Sequence, residues 1–386
     1  MQFVRSRNTT LVATLVALAG TARGGQSIAT WNGAVDNRWS IAANWSPAVV
    51  PNNGLDQYAV MIGGGNVSMF SNATVDLLDL DSTASLTIAN SVALSIVGDP
   101  DPNDADETMG FVNNRGLLRI DSNGNATIFR GTSGTLTLGD PLGTPGTVEL
   151  DASHPAGSIA GQFGDETLIN LSGHTIQGRG FVGTNTLILD NRGEIRATAS
   201  TLEVDPDETM LNSGILRAAN GAHLRLRAAA YDNTAGLITA DAGSLVDISG
   251  ANITSGTLAG DGTINITATS QLTDVTNTAA LSVSNGVLMY LKGTLTNNAS
   301  FTINSVGNAT YARLDGDVML TGGGTFAMSN RLQNAIYALT TSPTLYNMDN
   351  LIRGAGSIGL GDIDIVNNGV IQADVGNLLD VHSEDV

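Results

Sequence analysis

The stretches NRGEIRA, residues 191–197, and NNGVIQA, residues 367–373, share one pattern: Asn-x-Gly, a short apolar alternation, then Ala. The same order opens Asn114-Arg115-Gly116-Leu117-Leu118-Arg119 and Asn212-Ser213-Gly214-Ile215-Leu216-Arg217. A second unit, (Ile/Leu)-x-Gly-x-Gly-x-(Val/Ile), occurs at residues 176–182, 258–264 and 352–358. The two units keep phase. The same interval of 13 positions separates Gly180 from Gly193 and Gly356 from Gly369, so 178–197 realigns on 354–373 without a gap. Upstream, Thr167-Leu168-Ile169-Asn170 matches Thr344-Leu345-Tyr346-Asn347 with a one-residue slip. Self-similarity of this kind marks a repeat architecture.

Each unit supplies one short strand and one turn, too little to bury its own apolar face. Stacked units bury a continuous core and pair their backbones with the coils above and below. The spacings from Gly214 to Gly236 and from Gly236 to Gly256 fit one coil of two or three short strands. The expected fold is therefore all-β, a right-handed parallel β-helix (β-solenoid). An array of β-sandwiches is the alternative, because strands at short regular spacing also fit it. The recurrent Asn191, Asn212 and Asn367 predict asparagines that stack and hydrogen-bond from coil to coil. No segment keeps helical periodicity, so helix is expected to be minimal.

Composition agrees. Glycine is abundant, at 46 residues, while aromatic residues make up 4% and charged residues 14%. With 42% hydrophobic residues the chain holds enough apolar surface for a large core. There is no cysteine, which removes disulfides, thiolate chemistry and Cys-based zinc sites. The formal charge is −19, and Lys292 is the single lysine. A nucleic-acid surface needs a basic face to neutralise phosphate, so nucleic acid is not an expected partner.

Three regions are expected. Residues 1–24 read as a signal peptide: Arg5 and Arg7 precede the apolar run Thr10–Gly20, and small residues follow. Residues 25–65 form a Trp-rich N-terminal cap holding Trp31, Trp39 and Trp45. Residues 66–386 are solenoid repeats that stop within a unit, so another chain or a further C-terminal segment is expected to cap them. No stretch of the mature chain reads as a transmembrane span.

Candidate sites are few. Asp99, Asp101, Asp104, Asp106 and Glu107 offer oxygens for a weak Ca²⁺ site, and Asp205, Asp207 and Glu208 form a shorter version. Trp31, Trp39 and Trp45 read either as a carbohydrate-stacking platform or as a buried cap. The Gly-x-Gly-x-x-Gly matches at 178–183 and 354–359 precede strands, not helices, and read as solenoid corners without a cofactor. His154, His174, His223 and His382 are scattered and read as structural. Asp190 with Arg192, or Asp241 with Asp247, are charge pairs of the type a lyase or hydrolase uses, and nothing in their spacing selects them. No catalytic residue is assigned.

The Trp block (Trp31-Asn32-Gly33, Trp39, Asn44-Trp45, Pro51) and the repeats Asn191–Ala197 and Asn367–Ala373 together resemble a known family. They resemble the exported, autotransporter-like and PEP-CTERM-type repeat proteins of Gram-negative, planctomycete-like bacteria. That resemblance implies a β-solenoid secreted or held at the cell surface, with no defined enzyme activity. Residues 1–386 show no segment resembling the C-terminal β-barrel or sorting helix of that pattern. The expected function is a non-enzymatic surface adhesin or matrix component that meets extracellular polysaccharide or cell-surface components. The alternative is a polysaccharide-binding or polysaccharide-cleaving β-helix.

Overall fold

The computed structural model describes residues 26–98, 110–151, 156–338 and 342–384. The chain divides into two compact units, one of Met1–Arg196 with Val204–Glu208, the other of Ala197–Glu203 with Thr209–Val386. Both are parallel β-solenoids, as the repeats predict, and the only helix among the described residues is the 3₁₀ turn Ala42–Asn44. Residues 1–24, expected from sequence to be a signal peptide, lie outside the described residues.

In the first unit the coils build three parallel ladders. The first runs through Gln26–Trp31, Gln57–Ile62, Leu77–Leu80, Phe111–Asn114, Thr135–Leu138, Glu166–Asn170 and Leu187–Asn191. The second runs through Gly65–Met69, Ala84–Ile88, Leu117–Ile120, Gly146–Leu150 and the start of His174–Gly183. The third runs through Ala73–Val75, Ala93–Ile96, Thr127–Gly131, Gly157–Gly161 and the end of His174–Gly183. Side chains alternate in and out along each strand. Val67, Leu86, Leu118, Val148 and Ile176 therefore share one register and stack as a buried aliphatic column. Each such side chain contributes about 1.5–3 kcal/mol by leaving water. Parallel pairing throughout these ladders excludes the β-sandwich alternative, whose sheets are antiparallel.

The second unit repeats the plan. Its ladders include Ala230–Asp232, Asn252–Thr254 and Ser270–Thr273 on one face, Leu237–Ala240, Thr257–Ala259 and Thr276–Asn277 on the next, and Leu245–Ser249, Thr263–Ala268 and Ala280–Val283 on the third. Its inward column Val246, Ile264, Leu281, Phe301 and Phe326 is buried, and the Phe301 and Phe326 rings lie 4.4 Å apart.

The parallel ladder begins at Gln26, so the Trp-rich block carries the first rung; coils do not wait until residue 66. Beyond Trp31 the chain leaves the coil, and Trp45–Ser46 returns antiparallel to Thr30–Trp31. The loop then supplies what the exposed edge of Gly65–Met69 lacks. Ser68 N donates to Asn37 O at 2.7 Å, and Trp39 N donates to Ser68 O at 2.9 Å. Covering an open strand edge in this way blocks pairing with other chains.

The asparagine stacking expected from sequence is present inside both units. Asn170 pairs in register with Asn191, and its Nδ2 donates to Asn191 Oδ1 at 2.8 Å. The realigned copy does the same, with Asn347 donating to Asn367 at 2.7 Å. Asn212 donates to Asn233 at 2.6 Å and Asn277 to Asn297 at 2.8 Å. The amides also explain the third residue of Asn-x-Gly. A Cβ at Gly193 would lie 2.8 Å from Asn170 Nδ2 and 2.5 Å from Leu171 O, a clash that only glycine avoids.

One histidine joins this amide chain. His174 is buried, its Nδ1 lies 2.7 Å from Asn170 Oδ1, and its Nε2 lies 3.0 Å from Asn114 Nδ2. Asn114 Oδ1 accepts from Gly116 N, and its Nδ2 donates to Thr147 O, which fixes the orientation of that amide. Asn114 is therefore the donor to Nε2, and the imidazole is neutral with its proton on Nδ1. Burial pulls the His174 pKa down from 6.5 to about 3.

Candidate functional site

The acidic stretch Asp99, Asp101, Asp104, Asp106 and Glu107 lies outside the described residues, as does His154. Among the described residues no group of three or more His, Asp or Glu side chains is placed to hold a metal ion. Asp205 serves as a backbone turn: its N donates to Val182 O at 2.9 Å and its O accepts from Asn185 N at 2.7 Å.

The tryptophans form one packed cluster. Trp39 and Trp45 are each 1% exposed, and the three rings meet edge to face at 4.8 and 5.0 Å. Trp39 Nε1 donates to Pro51 O, and Trp45 Nε1 donates to Trp39 O. Stacking on a sugar needs a free ring face. Trp39 and Trp45 have none and serve as buried packing over the first coil, while Trp31 stays partly exposed.

The charge pairs are likewise occupied. Arg192 Nη2 lies 2.5 Å from Asp190 Oδ2. Asp241 receives Arg217 through both carboxylate oxygens at 2.8–3.1 Å. Asp247 lies elsewhere, on the strand Leu245–Ser249, with Arg225 at 3.8 Å, and burial pushes its pKa up against that pairing. Asp241 and Asp247 therefore serve different arginines and do not form a dyad. A carboxyl pair not anticipated from sequence is Asp121 with Asp151. Each closes a strand of the second ladder, and burial first, then the Asp151 carboxyl, raises the Asp121 pKa.

The Gly-x-Gly-x-x-Gly matches are bends between ladders. Gly178 and Gly180 have φ 124° and 129°, and Gly354 and Gly356 have φ 118° and 124°. A Cβ would fall 1.9 Å from Leu150 O at Gly178 and 1.9 Å from Met328 O at Gly354. Neither opens a helix, so neither forms a dinucleotide cradle.

Two surfaces of the second unit remain as candidates. One is a row of outward threonines, Thr257, Thr276, Thr296 and Thr321, in register on successive coils. On the next face Asn265, Ser282 and Thr302 form a second uncharged row. Neighbouring rungs stand about 4.8 Å apart, so hydroxyls and amides recur at that interval. The other surface is aromatic. Tyr290, Arg313 and Tyr337 share one outward register on three consecutive coils. Arg313 Nη1 donates to Tyr290 Oη at 3.0 Å and Nη2 to Tyr337 Oη at 2.7 Å. The guanidinium carbon lies 5.3 and 5.2 Å from the two ring centroids, within cation–π range. Tyr311 packs edge-on against Tyr337 at 5.1 Å.

No family model, curated protein or solved structure matches the chain. Among the described residues no helix is long and apolar enough to cross a membrane.

Proposed function

We propose that this chain is a non-enzymatic, exported solenoid, secreted or displayed at the surface of a Gram-negative cell, where it acts as an adhesin or matrix component. The observation that carries this reading is the outward surface of the second unit, where Thr257, Thr276, Thr296 and Thr321 repeat in register on one face and Asn265, Ser282 and Thr302 repeat on the next. Each such face offers several alike, weak hydrogen-bonding positions, and binding strength then comes from multivalency. The charged side chains support the same reading, since Arg119, Arg217 and Lys292 each stand against a carboxylate at 2.8–3.2 Å. Export rests on the N-terminal basic and apolar sequence and on the resemblance of the repeats to surface-displayed solenoids.

The test is location. Intact cells that make the protein are treated with an impermeant protease, and the mature N-terminus is read by mass spectrometry from the outer-surface and medium fractions. Loss of the protein on shaving, with a first residue near position 25, is the expected result. Full protection, with Met1 retained, would overturn the proposal.

A further inference from the structure

We propose that Tyr290, Tyr311, Arg313 and Tyr337 form a binding subsite for an anionic sugar, one bearing a carboxylate or a sulfate ester. The proposal deepens the adhesive reading and rests on it for its biological setting. The chemistry starts from Arg313. In a chain of charge −19, most described cations stand against a carboxylate, yet Arg313 makes no ion pair among the described residues. Its partners are two phenol oxygens.

That arrangement fixes the hydroxyls. Each phenol oxygen spends acceptor capacity on the guanidinium, so its own proton points elsewhere. Among the described residues neither Tyr290 Oη nor Tyr337 Oη donates to any acceptor. Two phenol donors therefore flank a guanidinium with unused N–H groups, and all of them favour an acceptor with negative charge. Arg313 Nε is buried without a partner, so a ligand is left the second N–H of each Nη, whose first goes to a tyrosine.

The rings supply the second half of a sugar site. Tyr290, Tyr311 and Arg313 are partly exposed, while Tyr337, one coil further in the same register, is largely buried. A pyranose carries C–H faces that pack on aromatic rings, and its anionic substituent can then reach the guanidinium. The ladder holds the group rigid, because each member sits on a strand paired on both sides. The cluster contains no carboxylate pair, so the subsite binds and does not cleave. A purely structural stack of Arg313 between two tyrosines would also satisfy the cation–π distances. It would not discriminate among added sugars, which is what the experiment reads.

Oligogalacturonate, a sulfated oligosaccharide and a neutral cello-oligosaccharide are titrated calorimetrically into the purified chain, into Arg313→Gln and into Tyr290→Phe. The wild type should bind at least one anionic sugar about tenfold more tightly than the neutral one. Preference for galacturonate or for the sulfated sugar identifies which anion the site takes. Arg313→Gln should lose that preference, and Tyr290→Phe should weaken it several-fold with an unchanged melting temperature. Equal affinity for anionic and neutral sugars, or for none, would overturn the proposal. So would unchanged anion binding by Tyr290→Phe, which keeps the test valid if Arg313→Gln fails to fold. The shaving experiment above is independent: a chain that is displayed but binds no anionic sugar loses the subsite alone.

Discussion

Acidification should weaken the first unit through one side chain, His174. In the fold its imidazole is buried and neutral, donating from Nδ1 to Asn170 and accepting at Nε2 from Asn114. A proton on Nε2 would face the Asn114 amide N–H₂, two donors aimed at each other. Asn114 cannot rotate away without breaking its bonds to Gly116 N and Thr147 O. The folded pKa is therefore depressed, from 6.5 to about 3. Above pH 6.5 both folded and unfolded chains hold a neutral ring, and His174 gives no pH dependence. Below it the unfolded chain takes up a proton that the folded chain refuses. Stability then falls with decreasing pH until the folded ring itself titrates near pH 3. At about 1.4 kcal/mol per unit, the loss reaches about 3 kcal/mol by pH 4. Carboxylates titrate in the lower part of this window, so the comparison is with His174→Gln, which keeps them all. The wild-type unfolding free energy should drop more steeply than the variant's from pH 6.5 to 4. The ring nitrogens of His174, followed by NMR in the folded protein, should not titrate between pH 8 and 4. A His174 midpoint near 6.5, or parallel stability curves for the two proteins, would refute the reasoning.

The amide ladder and the corners make further predictions. Asn297→Leu removes the acceptor of Asn277 and the donor to Asn350, so it should cost about 2 kcal/mol or more; an unchanged thermal melt would contradict it. Gly354→Ala places a Cβ 1.9 Å from Met328 O at a φ of 118°, and should cost about 3 kcal/mol or more. Gly54→Ala, with nothing within 4 Å, serves as its control and should stay within about 0.5 kcal/mol in urea denaturation. Trp45→Ala empties the cap and should cost about 3–5 kcal/mol. Limited proteolysis should then cut first near Gln57–Ile62, and an intact N-terminal region would count against the cap.

The coil plan was legible because it is written in periodic residues. Asn191 and Asn367 repeat with their glycines, and the structure gives each the same acceptor role toward Asn170 and Asn347. Gly193 and Gly369 reveal the corner because their Cβ would strike the amide of Asn170 or Asn347 one coil earlier. His174 was not legible. A lone histidine has no repeat partner, and its neighbours Asn114 and Asn170 reach it from 60 and 4 residues away. The Tyr290–Arg313–Tyr337 cluster escaped for a related reason. Its members are separated by 23 and 24 residues, and coils of unequal length hide such a register until the ladder aligns them. The tryptophans read two ways in sequence because aromatic residues serve sugars and cores alike. Burial of Trp39 and Trp45 separates the two roles.

The central claim is adhesion without turnover, and one measurement meets it most directly. The mature chain is incubated with an array of extracellular polysaccharides and matrix components, and both retained protein and released sugar fragments are followed over time. Retention on part of the array with every polymer left at full length is the predicted result. Time-dependent release of shortened sugars would contradict it and would direct attention to Asp121 and Asp151, the carboxyl pair of the first unit.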